Sequence, residues 1–146
     1  MSNKLSLSKG AIFLLVSAFI ISSFCTPKQL LAGETSGLLD GRSFVGKTGE
    51  VGKESAEDEE IVFRDGKLHS VGCEPWNFND GEYKAMRSGE GDKIHFEAET
   101  ESPKHGKIVW KGTVEGDSID VNYTWSKKGW LGTKTKDKWF KGTLKK

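Results

Sequence analysis

The second half of the chain alternates apolar and polar residues with a period of two, and no other feature limits the fold so strongly. Ile94, Phe96 and Ala98 interleave with Lys93, His95, Glu97 and Glu99, and Ile108, Trp110, Gly112 and Val114 with Lys107, Val109, Lys111 and Thr113. Ile119, Val121, Tyr123 and Trp125 interleave with Ser118, Asp120, Asn122 and Thr124, and Phe140, Gly142 and Leu144 with Trp139, Lys141 and Thr143. Successive side chains of a strand point to opposite faces, so each stretch reads as a strand with one buried and one wet face. Weaker stretches of the same kind cover residues 42–47, 60–64, 67–72 and 82–87, which brings the expectation to eight strands. A helical period is almost absent.

Between the strands stand Asp65-Gly66, Asp80-Gly81, Gly91-Asp92, His105-Gly106, Gly116-Asp117 and Lys128-Gly129. Such pairs suit tight turns, which can join antiparallel neighbours but not parallel ones. The expected fold is therefore all-β: an eight-stranded antiparallel up-and-down meander closing into a small barrel, with a two-sheet β-sandwich as the alternative. A meander sends its odd-numbered connections to one end and its even-numbered ones to the other. The even set is short, whereas the odd set, expected at residues 48–59, 73–81, 101–106 and 127–135, is long. Binding residues concentrate on loops held by a rigid scaffold, so the odd end is where a site is expected.

The first 32 residues stand outside this pattern. Lys4 and Lys9 precede an uncharged, mostly apolar run from Ala11 to Cys25, and Thr26-Pro27 ends it. A basic start, a short apolar core and a polar continuation form the pattern of a helical export signal, with cleavage expected after Ala32. Fifteen residues span only ~22 Å as a helix, short of the ~30 Å hydrocarbon core. A retained anchor and lipidation of Cys25 are the alternatives. The expected domains are thus a signal over residues 1–32 and one β-barrel domain over residues 33–146, in a periplasmic or secreted protein with no stable transmembrane span.

The whole chain carries a formal charge of +1, but removing residues 1–32 leaves 19 basic against 21 acidic residues. A near-neutral domain offers no general attraction to nucleic acid, and none is expected as a partner. The charge is nonetheless segregated: residues 50–60 hold six acids, and residues 127–146 hold eight lysines with only Asp137. Cys73 alone remains beyond residue 32, so no disulfide within the domain is possible.

The segments LDGRSFVG, FRDGKLHSVGC and IVWKGTVEGD, spread over residues 38–144, resemble those of small exported proteins of Gram-negative bacteria. With its meander behind an export signal, the chain also resembles calycin-type barrels, the architecture of lipocalins, fatty-acid-binding proteins and avidins. It departs from lipocalins at Gly41-Arg42-Ser43-Phe44, where their pattern has Gly-x-Trp. The resemblance implies compartment and fold and carries over no catalytic residue.

Catalytic chemistry finds little support. His69 and Cys73 would lie ~13 Å apart on an extended strand, too far for one metal ion, and neither metal nor other cofactor is expected. Glu97 and Glu99 have the spacing of paired carboxylates but share the wet face with His95, where nothing raises a pKa. No nucleophile elbow, phosphate loop or dinucleotide fingerprint occurs. Cys73 reads as a partly buried small hydrophobe without a resolving partner. The repeated pattern Trp110-Lys111-Gly112-Thr113-Val114 and Phe140-Lys141-Gly142-Thr143-Leu144 reads as inward glycine making room for an aromatic ring.

The informative residues are aromatics in the odd-end connections: Trp76 and Phe78, with Asn77 and Asn79 beside them, and Trp130 next to Leu131. Aromatics among Gly, Asn and Asp either cover a barrel or meet a partner. Trp76, Asn77, Phe78 and Trp130 are the expected ligand-binding rim; Trp76, Phe78 and Trp130 are expected to converge, and a structure placing Trp76 and Trp130 at opposite ends would overturn that reading. The expected function is an exported non-catalytic binding module for a small amphipathic ligand. The alternative is an envelope protein-interaction or inhibitor barrel using residues 54–60 and the lysine-rich carboxyl end. No enzyme activity is expected.

Overall fold

A computed structural model describes residues 35–89 and 91–146; the expected signal over residues 1–32 lies outside them. Eight strands follow in chain order: β1 (Ser43–Glu50), β2 (Ala56–Arg64), β3 (Lys67–Ser70), β4 (Gly81–Arg87), β5 (Lys93–Ser102), β6 (Gly106–Glu115), β7 (Ser118–Gly129) and β8 (Gly132–Leu144). Every neighbouring pair is antiparallel, and β1 pairs with β8 from Phe44↔Leu144 to Glu50↔Lys138, so the meander closes into a barrel. At that seam Gly46 faces Gly142. The ring is thinnest between β3 and β4, where only Lys67↔Glu82 and Leu68↔Gly81 pair. A short 3-10 helix, Val71–Trp76, and residues 77–80 span the gap.

The alternation places the core as the sequence anticipates. Phe44, Ile61, Phe63, Leu68, Tyr83, Phe96, Trp110, Val121 and Phe140 are all nearly inaccessible. Phe63 packs edge-on against Phe44, Tyr83 and Phe96 at ring distances of 6.2, 5.0 and 5.0 Å, and Trp110 stacks on Tyr123 at 4.3 Å. Aromatic rings fill the middle of the barrel.

The even end is closed by tight turns. Asp65 and Gly66 take φ of 52° and 71°, the left-handed pair of a hairpin turn that matches strand twist. Residues 35–41 fold across this end and insert Leu39, which is fully buried. The Tyr83 hydroxyl accepts from the Leu39 N–H at 2.8 Å and donates to Asp40 Oδ1 at 2.8 Å. Burial first, and then the Asp40 carboxylate, push the Tyr83 pKa up to about 12.

At three of the four odd-end connections the strands run further than the apolar alternation does. The β1–β2 connection shrinks to residues 51–55 and the β5–β6 connection to residues 103–105. Residues 127–135, expected as a loop, are mostly hairpin: Ser126↔Thr135, Lys127↔Lys134, Lys128↔Thr133 and Gly129↔Gly132 pair, leaving only Trp130 and Leu131 at the turn. The β6 ladder stops at Lys107↔Ser126, so the end of this hairpin stands beyond the barrel wall. A two-stranded projection has no core to face, and its strand pairing proceeds without an apolar stripe. The third strand also ends at Ser70 rather than at Gly72, because the chain turns into the 3-10 helix that carries Cys73.

Candidate functional site

Inward positions change character as the strands approach the odd end. The inward row of β5 runs Ile94, Phe96, Ala98 and then Thr100 and Ser102; that of β2, read from its far end, runs Phe63, Ile61 and then Glu59. With Thr48 of β1 and Ser70 of β3, these are the buried polar residues of the described chain, and all lie at this end. Each finds a partner. Thr48 donates to the Trp139 carbonyl at 2.7 Å and therefore accepts from the Tyr123 hydroxyl at 2.6 Å. Thr100 accepts from the Trp110 indole N–H at 3.0 Å, and Ser102 donates to the Trp76 carbonyl at 2.7 Å. No buried side-chain polar atom among the described residues lacks a partner.

Above this polar layer opens a hollow of about 380 Å³. Ile108, Tyr123, Trp125, Trp76 and Phe78 supply its apolar surface; Glu57 and Glu59 from β2 and Lys136 and Lys138 from β8 supply charge of both signs. Trp125 is held by its indole N–H donating to the His105 carbonyl at 2.7 Å, and Trp76 meets the His105 ring edge-on at 5.2 Å. These contacts tie the β3–β4 and β5–β6 connections into one half of the rim. Lys138 Nζ stands 5.7 Å above the Tyr123 ring, within cation–π range.

Glu59 is the buried charge of the site. Its carboxylate accepts from Ser70 Oγ–H at 3.1 Å, the Gly72 N–H at 2.9 Å and the Glu60 N–H at 3.0 Å. Burial outweighs these donors and raises its pKa above the ordinary 4.5. Burial, reinforced by the Glu59 charge and only partly opposed by a hydrogen bond to Ser70, also raises the Cys73 thiol, which stays protonated at neutral pH. Burial raises the Tyr123 phenol as well. These groups present hydrogen bonds and surface, not an activated nucleophile.

The structure distributes the expected rim residues unevenly. Trp76 and Phe78 line the hollow, with Trp76 still 54% exposed. Asn77 ends the 3-10 helix in the left-handed conformation and lies, with Asn79, along a shallow depression outside the mouth. Asn79 pins the connection to β5: its N–H donates to the Glu101 carbonyl at 2.9 Å, and its side-chain oxygen accepts the Glu101 N–H at 2.7 Å. Trp130 sits at the same end of the barrel but out on the hairpin tip, 93% exposed and not part of the hollow. Glu57, Glu59, Lys136 and Lys138, which the sequence offers only as part of the acidic 54–60 run and the lysine-rich carboxyl end, also line the hollow. Their signal was their even spacing from Ile61 and Phe140, which continues the inward row past the last apolar residue.

Elsewhere the outer wall carries paired charges. Glu97 pairs with Lys111 at 3.1 Å and Glu99 with Lys107 at 2.8 Å, as solvated ion pairs. The described residues contain no cluster of His, Cys, Asp and Glu suited to a metal ion. Comparison with protein-family models, with curated proteins and with solved structures finds no match to this chain.

Proposed function

We propose that this is an exported, non-catalytic binding module that takes a small amphipathic ligand into the mouth of its barrel. The single observation that carries the reading is the composition of the 380 Å³ hollow: aromatic and aliphatic surface over a hydrogen-bonded polar floor, with acids of β2 and lysines of β8 on either side of β1 at the rim. An apolar tail would lie against Trp76, Phe78 and Trp125, and a polar head would meet Glu57, Lys136 and Lys138. The filled core below limits the ligand to the mouth and hence to a small size. The alternative, a charged interaction barrel, draws on surfaces whose charges are partly engaged within the chain. Lys145 pairs with Glu60 at 3.0 Å, Lys136 with Glu50 at 3.2 Å and Lys47 with Asp58 at 2.7 Å.

Native mass spectrometry of protein recovered from its own host tests the proposal. The expected result is an adduct retained by the wild type and lost in a Trp76→Ala/Phe78→Ala double variant. A wild type without adduct, whose tryptophan emission also ignores the zwitterionic amphiphile dodecylphosphocholine below its micelle concentration, overturns it.

A further inference from the structure

The β7–β8 hairpin ends in an apolar tip with no counterpart among the described residues. Trp130 is 93% exposed and Leu131 83%, the two most exposed large hydrophobic side chains of the described residues. Behind them the strands carry Lys127, Lys128 and Lys134, none with a salt-bridge partner among the described residues, unlike Lys136, which pairs with Glu50. Lys127 and Lys134 stand directly opposite each other in the register, a like-charge pair that opposes formation of the hairpin. Val51, Val71 and Trp76, three of the four remaining exposed large hydrophobics, also belong to this end of the barrel.

We infer that the β7–β8 tip is a membrane-docking element that inserts Trp130 and Leu131 into the interface of an anionic bilayer, with Lys127, Lys128 and Lys134 against the headgroups. An indole and an isobutyl group on a projecting turn gain most where water gives way to acyl chain. Lysines two to three residues behind the tip lie at headgroup depth, where anionic phosphates relieve the repulsion between Lys127 and Lys134. Glu54 and Glu57 belong to the β1–β2 hairpin and not to the projecting tip, so attraction centres on the β7–β8 hairpin and tilts the barrel onto it. Docking is reversible, because two side chains and three lysines do not make a permanent anchor. The mouth opens at the same end as the tip and faces the bilayer when the hairpin is docked. The inference stands on the hairpin alone and does not need a ligand in the hollow.

The test is co-sedimentation of the protein, recovered from its host in the form the cell holds, with vesicles of phosphatidylcholine alone or mixed with phosphatidylglycerol. Wild type binds the mixed vesicles more tightly, and added salt weakens that binding. A Lys127→Gln/Lys128→Gln/Lys134→Gln variant loses roughly fivefold per lysine and most of the salt dependence. A Trp130→Ser/Leu131→Ser variant loses about tenfold or more on the same vesicles. Brominated acyl chains quench part of the tryptophan emission in wild type but not that part in Trp130→Phe. Equal binding to both vesicle types overturns the inference, as does hairpin-variant binding equal to wild type. So does vesicle-free self-association that disappears in Trp130→Ser/Leu131→Ser, which would make the tip a contact between copies.

Discussion

The Phe96 ring lies across Gly112 so closely that a Cβ at position 112 would stand 2.5 Å from its Cε1 and Cζ atoms, and 3.0 Å from Val121 Cγ2. The two residues are register partners on β5 and β6, and the missing side chain of one is the seat of the other's ring. The glycine in the middle of the Trp110–Val114 strand is thus a packing requirement. Gly112→Ala is expected to destabilise the protein by ~1–3 kcal/mol, as overpacked cores do. Gly112→Ala/Phe96→Leu should recover part of that loss in urea melts. Equal stability of Gly112→Ala and wild type would show that the ring moves aside without strain.

Trp110 combines complete burial, a stack on Tyr123 and an indole N–H given to Thr100. Trp110→Ala is expected to cost ~3–5 kcal/mol. Thr100→Val keeps the shape but strands the indole N–H, for an expected ~1–3 kcal/mol. Denaturant midpoints of the two variants measure both, and a change below 1 kcal/mol in Trp110→Ala would contradict the packing described.

Trp76 is held through its backbone carbonyl and leaves about half its side chain in water. Trp76→Ala should therefore change stability by no more than ~1 kcal/mol, as surface substitutions do, while removing one wall of the hollow. A loss of several kcal/mol would make Trp76 a structural lid instead.

His69 lies on the outer wall with Nδ1 2.6 Å from Asp80 Oδ1 and Nε2 2.8 Å from Glu74 Oε1. Both partners accept, so both ring nitrogens must carry protons, and Arg64 near Asp80 is the other charge in the cluster. Burial opposes the charged ring, but the hydrogen bonds to Asp80 and Glu74 prevail and raise the pKa above 6.5. The folded state thus holds this proton more tightly than the unfolded chain does. The stabilisation is complete below pH 6.5 and is lost as pH climbs through the raised value. Glu59, also raised, contributes in the same sense over a window beginning near 4.5. Urea midpoints should fall as pH rises from 6.5 through the raised His69 value, and His69→Gln should flatten that fall. A wild-type midpoint that rises over the interval would refute the assignment.

What the sequence determined by itself is the part of the fold governed by short-range rules. Side-chain alternation placed Phe96, Trp110, Val121 and Phe140 inside, and Asp65-Gly66 and Gly116 marked the tight-turn end through the backbone conformations they favour. Apolar alternation also set the apparent strand limits, and there the reading stopped short. Glu59, Thr48, Thr100 and Ser102 continue the inward rows, but a polar residue at an inward position looks like a strand's end until its partner is known. The closed ring, with the register summed over eight strands, decides that Thr48 meets Tyr123 across the β1–β8 seam, whereas the β2–β3 hairpin alone brings Glu59 to Ser70 and Gly72. The same sum decided that Trp76 borders the hollow while Trp130 stands away from it. Their connections share one end by topology, but β7 and β8 pair beyond the last residue of β6 and carry Trp130 clear of the mouth.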